Sequence, residues 1–282
     1  MIKLPEIKKT FAQHAYQYEQ SAKIQHEIGQ RLFKRLAYLS MTPTTILDLG
    51  CGTGVLSAQL KQHYPKALII GLDLAFEMLQ CSQKKQHFWR KWPLVQADMR
   101  GLPFADNTFD LIISNQVIHW SPTLLVLFKE LYRIMRAESC LMFSTLGPDT
   151  FQEINQAWQH DTLCRHTNEF HDMHDIGDIL LTAHFADPVV DMERLKARYS
   201  SLHDLFQGLK AQGVKNIHPR RHPGLTGKKN WQRFITNYPQ EQGKFSLSYE
   251  VVYGQAWKVA PIKSASAQET YIPVNSIQKL KR

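Results

Sequence analysis

Residues 45–54 read TILDLGCGTG, and Val55, Leu56, Ala58 and Leu60 follow at helical spacing. Apolar and β-branched residues (Ile46, Leu47) run into an acid, Asp48, and then into three glycines at alternate positions, Gly50, Gly52 and Gly54. This is the grammar of a buried strand, a tight turn and a helix. Glycine suits the turn because it accepts positive φ and lets a ligand approach the backbone. The helix behind it offers unpaired N–H groups and a positive dipole end.

The spacing is GxGxG, which differs from the dinucleotide fingerprint GxGxxG. An acid just before the glycines does not suit a phosphate cradle; Asp48 suits a ligand with a cationic end, such as an amino-acid ammonium. Asp73, followed by Leu74, closes the next apolar run, ALIIGLD. That is where a ribose-binding acid sits at the end of the second strand of a nucleotide-binding sheet. Two acids, a glycine turn and no phosphate-binding lysine point to S-adenosyl-L-methionine as cofactor. The segment resembles motif I and the following acid of class I methyltransferases. The implied fold is α/β, a Rossmann-like doubly wound sheet with an N-terminal helical lid and a helical insertion near the last strands.

The 282 residues, 43% of them hydrophobic, are enough to bury a substantial core. No stretch is apolar and long enough to span a membrane, and MIKLPEIKKT lacks the apolar core of a signal peptide. Four scattered cysteines without CxxC spacing fit a reduced compartment, so a cytoplasmic location is expected. A net charge of +9 suits an acidic partner: nucleic acid, an acidic carrier protein or a phosphorylated cofactor.

Residues 6–39 carry an apolar stripe near the 3.6-residue period and read as one helix, either a packing helix or a lid across the cofactor. Strands are expected over 45–48, 67–73, 94–97, 109–114 and 140–145. Helices are expected over 54–63, from 75, and over 124–135. Asp98 and Met99 end the third strand; in the methyltransferase pattern such an acid reaches the adenine amino group and its neighbour packs on the ring. Asn115 and Gln116 end the fourth strand, where ligands bind in open α/β sheets. His119 and Trp120 follow in the loop toward the reacting methyl group, His119 as a base or as a pocket wall. Beyond Gly147 a helix is expected from GPDTFQEINQAW, a sixth strand around 189–193, helices and loops over 201–240, and a final buried strand over 247–258. The basic, aromatic KKQHFWRKWP is a candidate docking patch or a solvated turn. The expected organisation is a single unit over 1–260, with a cap at 1–40, a cofactor half at 44–146, a substrate half at 147–260 and a polar tail at 261–282.

His171, Asp172, His174 and Asp175 crowd together, but a transferase of this class needs no metal, and polar pocket or interface residues are the preferred reading. Arg194, Arg198, Arg220 and Arg221 are each able to hold a carboxylate.

FAQHAYQYEQSAKIQ, FSTLGPDTFQEINQAW, FHDMHDIGDILLTAHFADPVVDMERL and YEVVYGQAWK together resemble the malonyl-acyl-carrier-protein O-methyltransferases of biotin synthesis, the BioC family. The likeness runs to about Lys258 and departs from the family pattern at His14 and Glu19. It implies methylation of the free carboxylate of a malonyl thioester, on acyl carrier protein or coenzyme A, by a monomer that meets neither nucleic acid nor membrane. A malonyl carboxylate is already ionised at neutral pH, so no general base is required, and positioning and desolvation govern the displacement. The expected site residues are Tyr16, Tyr18 and His119 at the chemistry and Trp120, Arg198 and His171 on the substrate. The alternatives are another small acid or an RNA as acceptor.

Overall fold

A computed structural model describes residues 4–161, 164–213, 216, 218, 220–221, 224 and 226–260. Its elements are α1 (Leu4–Ser21), α2 (Lys23–Arg35), β1 (Thr45–Leu49), α3 (Val55–His63), β2 (Leu68–Asp73), α4 (Phe76–Lys84), β3 (Leu94–Gln96), β4 (Phe109–Asn115) and α5 (Leu124–Ile134). The chain continues through β5 (Met135–Leu146), α6 (Gln152–Ala157), α7 (Met173–Thr182), β6 (Ala186–Tyr199), α8 (Leu202–Ala211), α9 (Lys228–Asn237), β7 (Gln240–Glu241) and β8 (Lys244–Lys258).

The strands form one sheet in the order β3-β2-β1-β4-β5-β8-β6, with β7 paired to β8. The first five strands are parallel; β8 runs antiparallel between β5 and β6. The order reverses between β1 and β4, the position where open α/β sheets bind ligands at their carboxyl ends.

Strand parity divides the core. Ile46, Leu111, Ile113 and Met142 face a cluster shared with α2, α3, α6, α8 and α9. Leu47, Leu49, Ile112, Leu141 and Phe143 face the other, with α5 and α7. Successive side chains of a strand point to opposite faces, so the near-continuous apolar runs of β1, β4 and β5 require helices on both.

The structure changes several sequence expectations. The N-terminal helix is two helices broken at Ala22, which has φ −83° and ψ 38° and no capping side chain, and α2 ends in a short 3-10 turn over Leu36–Tyr38. The fifth strand begins earlier, at Met135, with a bulge between Phe109 and Leu111 in its partner. The sixth spans fourteen residues. Its charged positions alternate with half-buried ones along a sheet edge, a period that an apolar count misses. In the insertion, α8 and α9 are helical, whereas the tail from residue 261 lies outside the described residues. Asp172 caps α7: its carboxylate accepts the His174 N–H at 2.8 Å, and His174 Nδ1 lies 2.6 Å from the same oxygen. No described helix is long and apolar enough to cross a membrane.

Candidate active site

The turn after β1 takes its shape from its glycines. Gly50, Gly52 and Gly54 have φ of 72°, 53° and 80°. The Gly50 and Cys51 N–H groups donate to Leu72 O at 2.7 and 2.9 Å, which ties the turn to the end of β2. Asp73 holds the other side: its two carboxylate oxygens accept the Gly52 and Ala75 N–H groups, each at 2.9 Å. Burial pushes the Asp73 carboxyl up, against the hydrogen bonds from Ala75, Gly52 and Leu74.

A cavity opens above this turn, at the sheet's reversal point. Gly50, Gly52, Asp73, Leu74, Asp98, Met99 and Asn115 line it, as expected from the sequence, and α1 covers it with Ile7, Lys8, Phe11 and Tyr18. Burial works against ionisation of Asp98, but hydrogen bonds from Arg100 outweigh it and hold the carboxyl below the ordinary range. Asn115 spends its amide inside the protein, donating to Gln25 O at 3.1 Å and accepting from Ser144 Oγ at 2.7 Å.

Two expected cofactor contacts are corrected. Asp48 does not reach the cavity: it is 1% exposed and accepts the Ser57 hydroxyl at 2.5 Å. It shares the parity of Ile46, which turns it under α3. Gly54 precedes α3 away from the cavity wall, and a Cβ there would lie 2.2 Å from Ser82 Oγ. Both residues frame the turn.

Burial pushes the Asp48 carboxyl up to about 7, Ser57 opposing and Asp73 adding to the rise. An unfolded aspartate loses its proton near pH ~4. The stability that goes with the folded state's tighter proton is therefore full below about pH 4, falls as pH rises to about 7, and stays low above. Asp48→Asn is expected to leave the melting temperature unchanged at about pH 4 and to raise it at about pH 8. A parallel profile for both proteins across that range would contradict this.

Beyond the cofactor cavity lies a narrow middle chamber, sharing Phe11, Tyr18, Gln116 and Trp120 with it. His119, Trp120, Leu146, Asn168 and Phe170 are shared in turn with an outer chamber, which His171 and His218 also line. The three cavities adjoin one another through these shared walls. Trp120 stands at every junction, edge-on to Phe11 at 5.7 Å.

The chambers bring Tyr18, His119, Trp120 and His171 together but exclude two other expected residues. Tyr16 is 63% exposed on the outer side of α1, near Gln80 and under the Lys84 ammonium. Two residues along a helix are roughly 200° apart, so Tyr16 and Tyr18 cannot share a face. Arg198 is exposed on edge strand β6, opposite Ser246, and lines none of the three chambers. Burial pushes the His119 imidazole down to about 3, which keeps it neutral at ordinary pH; its Nδ1 is 3.4 Å from Thr145 Oγ1. Burial, with Asp73 nearby, drives the Tyr18 phenol up, so it remains a donor. Sequence reasoning singled out none of Phe11, Gln25, Phe170 and Tyr249 as site residues, although each lies in one of the blocks that resemble the family, and Phe11 also stands on the apolar stripe of α1.

The chain is similar in sequence and in fold to known proteins. A family profile described as "Methyltransferase domain" matches residues 47–143. A malonyl-[acyl-carrier protein] O-methyltransferase of Legionella pneumophila is 54% identical over 277 residues, covering 97% of this chain and 98% of that protein. One from Gallionella capsiferriformans is 43% identical over 264 residues, covering 90% and 91%. Among solved structures, the YcgJ protein of Bacillus subtilis superposes with a TM-score of 0.59 at 14% identity, covering 84% of this chain and 99% of that one, a likeness of fold. The chain belongs to the malonyl-[acyl-carrier protein] O-methyltransferase family.

Proposed function

We propose that the protein transfers a methyl group from S-adenosyl-L-methionine to the free carboxylate of a malonyl thioester, with malonyl-acyl carrier protein as the acceptor and malonyl-coenzyme A as a simpler one. The observation that carries this reading is the row of adjoining chambers, with α1 lining the cofactor cavity at one end and Asn168 and His171 lining the outer chamber at the other. A small acid on a long flexible arm fits a row of that form.

The cofactor fits the residues present. Gly52 has open space where a Cβ would stand, so a ligand can lie against its backbone. Each Asp73 oxygen has spare acceptor capacity for a ribose hydroxyl, and Asp98 and Met99 stand along the same wall. The bound cofactor supplies an electrophilic sulfonium methyl. The chain supplies position and a dry environment. Phe11, Trp120 and Phe170 strip water from the acceptor carboxylate, and desolvation makes it a better nucleophile. Tyr18 donates from its neutral hydroxyl, and neutral His119 completes the wall without removing a proton. Asn168 and His171 flank the outer end, where the carrier arm enters. Among the described residues no lysine or arginine lines the middle chamber. A full positive charge there would hold the ground-state carboxylate more tightly than the transition state, in which its negative charge is being neutralised, and would slow the transfer.

The +9 charge suits an acidic carrier. The same reading makes the protein a single-unit, cytoplasmic monomer. The test is incubation with methyl-labelled cofactor and malonyl- or acetyl-acyl carrier protein. Label is expected in the malonyl form alone; equal labelling of both, or of neither with cofactor binding intact, would overturn the assignment.

A further inference from the structure

Three arginines gather beside the outer chamber. Glu169 and His218 line that chamber, and Glu169 lies between His218 Nε2 and Arg165 Nε, 3.4 Å from each. The Arg220 N–H donates to His218 Nδ1 at 3.0 Å, so a neutral His218 carries its proton on Nε2, the nitrogen nearer Glu169. The Arg165 N–H donates to Arg220 O at 3.0 Å, and Asn216 Nδ2 donates to Arg165 O at 2.6 Å. Arg221 Nη1 donates to Asn216 O at 3.3 Å, and its Nη2 stands 3.8 Å from Glu6 on α1. These bonds tie the backbone around Arg165 to that of residues 216–221 at the edge of the chamber.

Arg165, Arg220 and Arg221 are exposed, and none of them lines any of the three chambers. Holding the acceptor carboxylate, which the sequence left open to Arg220 and Arg221, is therefore not their part. Arg165 and Arg221 each meet one carboxylate, Glu169 and Glu6, whereas the Arg220 side chain has no ion-pair partner among the described residues. On the α7 side of the chamber stand Asp172 and Asp175, and Asp172 is taken up by the helix cap. The side formed by residues 165 and 216–221 thus presents cations to solvent next to the chamber lining. The other basic surface, KKQHFWRKWP, has its Phe88 and Trp89 75% and 87% exposed. It joins the end of α4 to the start of β3, whereas the cofactor cavity lies at the carboxyl ends of the strands. The six residues of β2 put about 20 Å between those two ends of the sheet.

We infer, on the carboxyl methyltransferase reading above, that Arg165, Arg220 and Arg221 form the docking surface for the acidic carrier protein that presents the malonyl group. Opposite charge steers the encounter and sets the orientation of the docked carrier. A carrier seated on these arginines has its arm at the outer chamber, where Asn168 and His171 stand. The cations act on the carrier and stay outside the chambers, so the acceptor carboxylate keeps its reactivity.

The test is Arg220→Glu, which reverses a charge whose side chain has no internal partner to lose. Its KM for malonyl-acyl carrier protein is expected to rise roughly tenfold, with kcat, cofactor affinity and melting temperature as in wild type. Its KM for malonyl-N-acetylcysteamine, a thioester with neither phosphate nor protein, is expected to stay unchanged. Arg220→Lys is expected to keep the wild-type KM for the carrier. Added salt is expected to raise the wild-type KM for the carrier and to move that of Arg220→Glu less. An unchanged KM for the carrier in Arg220→Glu overturns the assignment. So does an equal rise with malonyl-N-acetylcysteamine, which would place the effect in the chamber. An equal rise with malonyl-coenzyme A also overturns it, since the arginines would then read the phosphates of the arm. Wild-type protein run alongside separates the two readings: if it methylates no malonyl thioester, the reading of the reaction falls, and the docking surface with it.

Discussion

Gly50→Ala is expected to cost about 3 kcal/mol of stability and to abolish measurable cofactor binding, the sum of left-handed strain (~1–2 kcal/mol) and overpacking (~1–3 kcal/mol). Gly50 sits at φ 72°, and its added Cβ would lie 2.2 Å from Val117 Cγ2, 2.7 Å from Cγ1 and 2.9 Å from Cβ. The obstacle is the whole branched end of a side chain whose backbone continues the end of β4, so no rotamer change clears it. The turn would have to lift away from Leu72 O, the acceptor that ties it to β2. Gly52→Ala makes the control. It has φ 53° but nothing within 4 Å, so it incurs the strain, about 1–2 kcal/mol, without the clash. Its methyl group would project into cavity space, so cofactor binding is expected to fail in a protein that still folds. Denaturant midpoints with calorimetric titration of the cofactor separate the cases. Equal midpoints for the two variants would show that the Val117 contact relaxes easily.

The cofactor half of this site is readable in the sequence because it is local. Glycine turn, Asp73 and Asp98 each close an apolar run, and parallel strands in a doubly wound sheet bring such ends together. The errors came from direction. Asp48 has the right place in the motif and the wrong parity for a ligand contact. Tyr16 and Tyr18 are equivalent as text, and only the phase of α1 against α4, with Ala15 packed on Ala75 and Met78, decides which faces inward. The acceptor half is not local. Its wall joins Gln25 on α2, Gln212 just after α8 and Tyr249 on β8, residues that meet through packing of the insertion on the sheet. Arg198 drew attention by charge, yet the alternation along β6 turns it to solvent. Charge alone points to arginines, whereas among the described residues no lysine or arginine lines the middle chamber.

Asp73→Ala is expected to weaken cofactor binding by a factor of about a hundred or more, since hydrogen bonds to a charged group contribute about 1.5–3 kcal/mol each and two are lost. The carboxylate works in two directions at once. Inward, its oxygens accept from Gly52 and Ala75 and so hold the glycine turn against the start of α4. Outward, it lines the cavity beside Leu74, where it can take a pair of ribose hydroxyls. Alanine abandons both N–H groups, so part of the loss is a loosened turn. Asp73→Asn isolates the remainder: its amide oxygen can still serve one N–H, but its NH2 group presents donors to the other N–H and to the ribose. An affinity between those of wild type and alanine is expected. Exchange rates of the Gly52 and Ala75 amides report the turn directly: fast in the alanine variant, slower for at least one amide in asparagine. If alanine binds cofactor as tightly as wild type by calorimetry, Asp73 holds the turn alone, and the ribose contact must be sought elsewhere on the cavity wall.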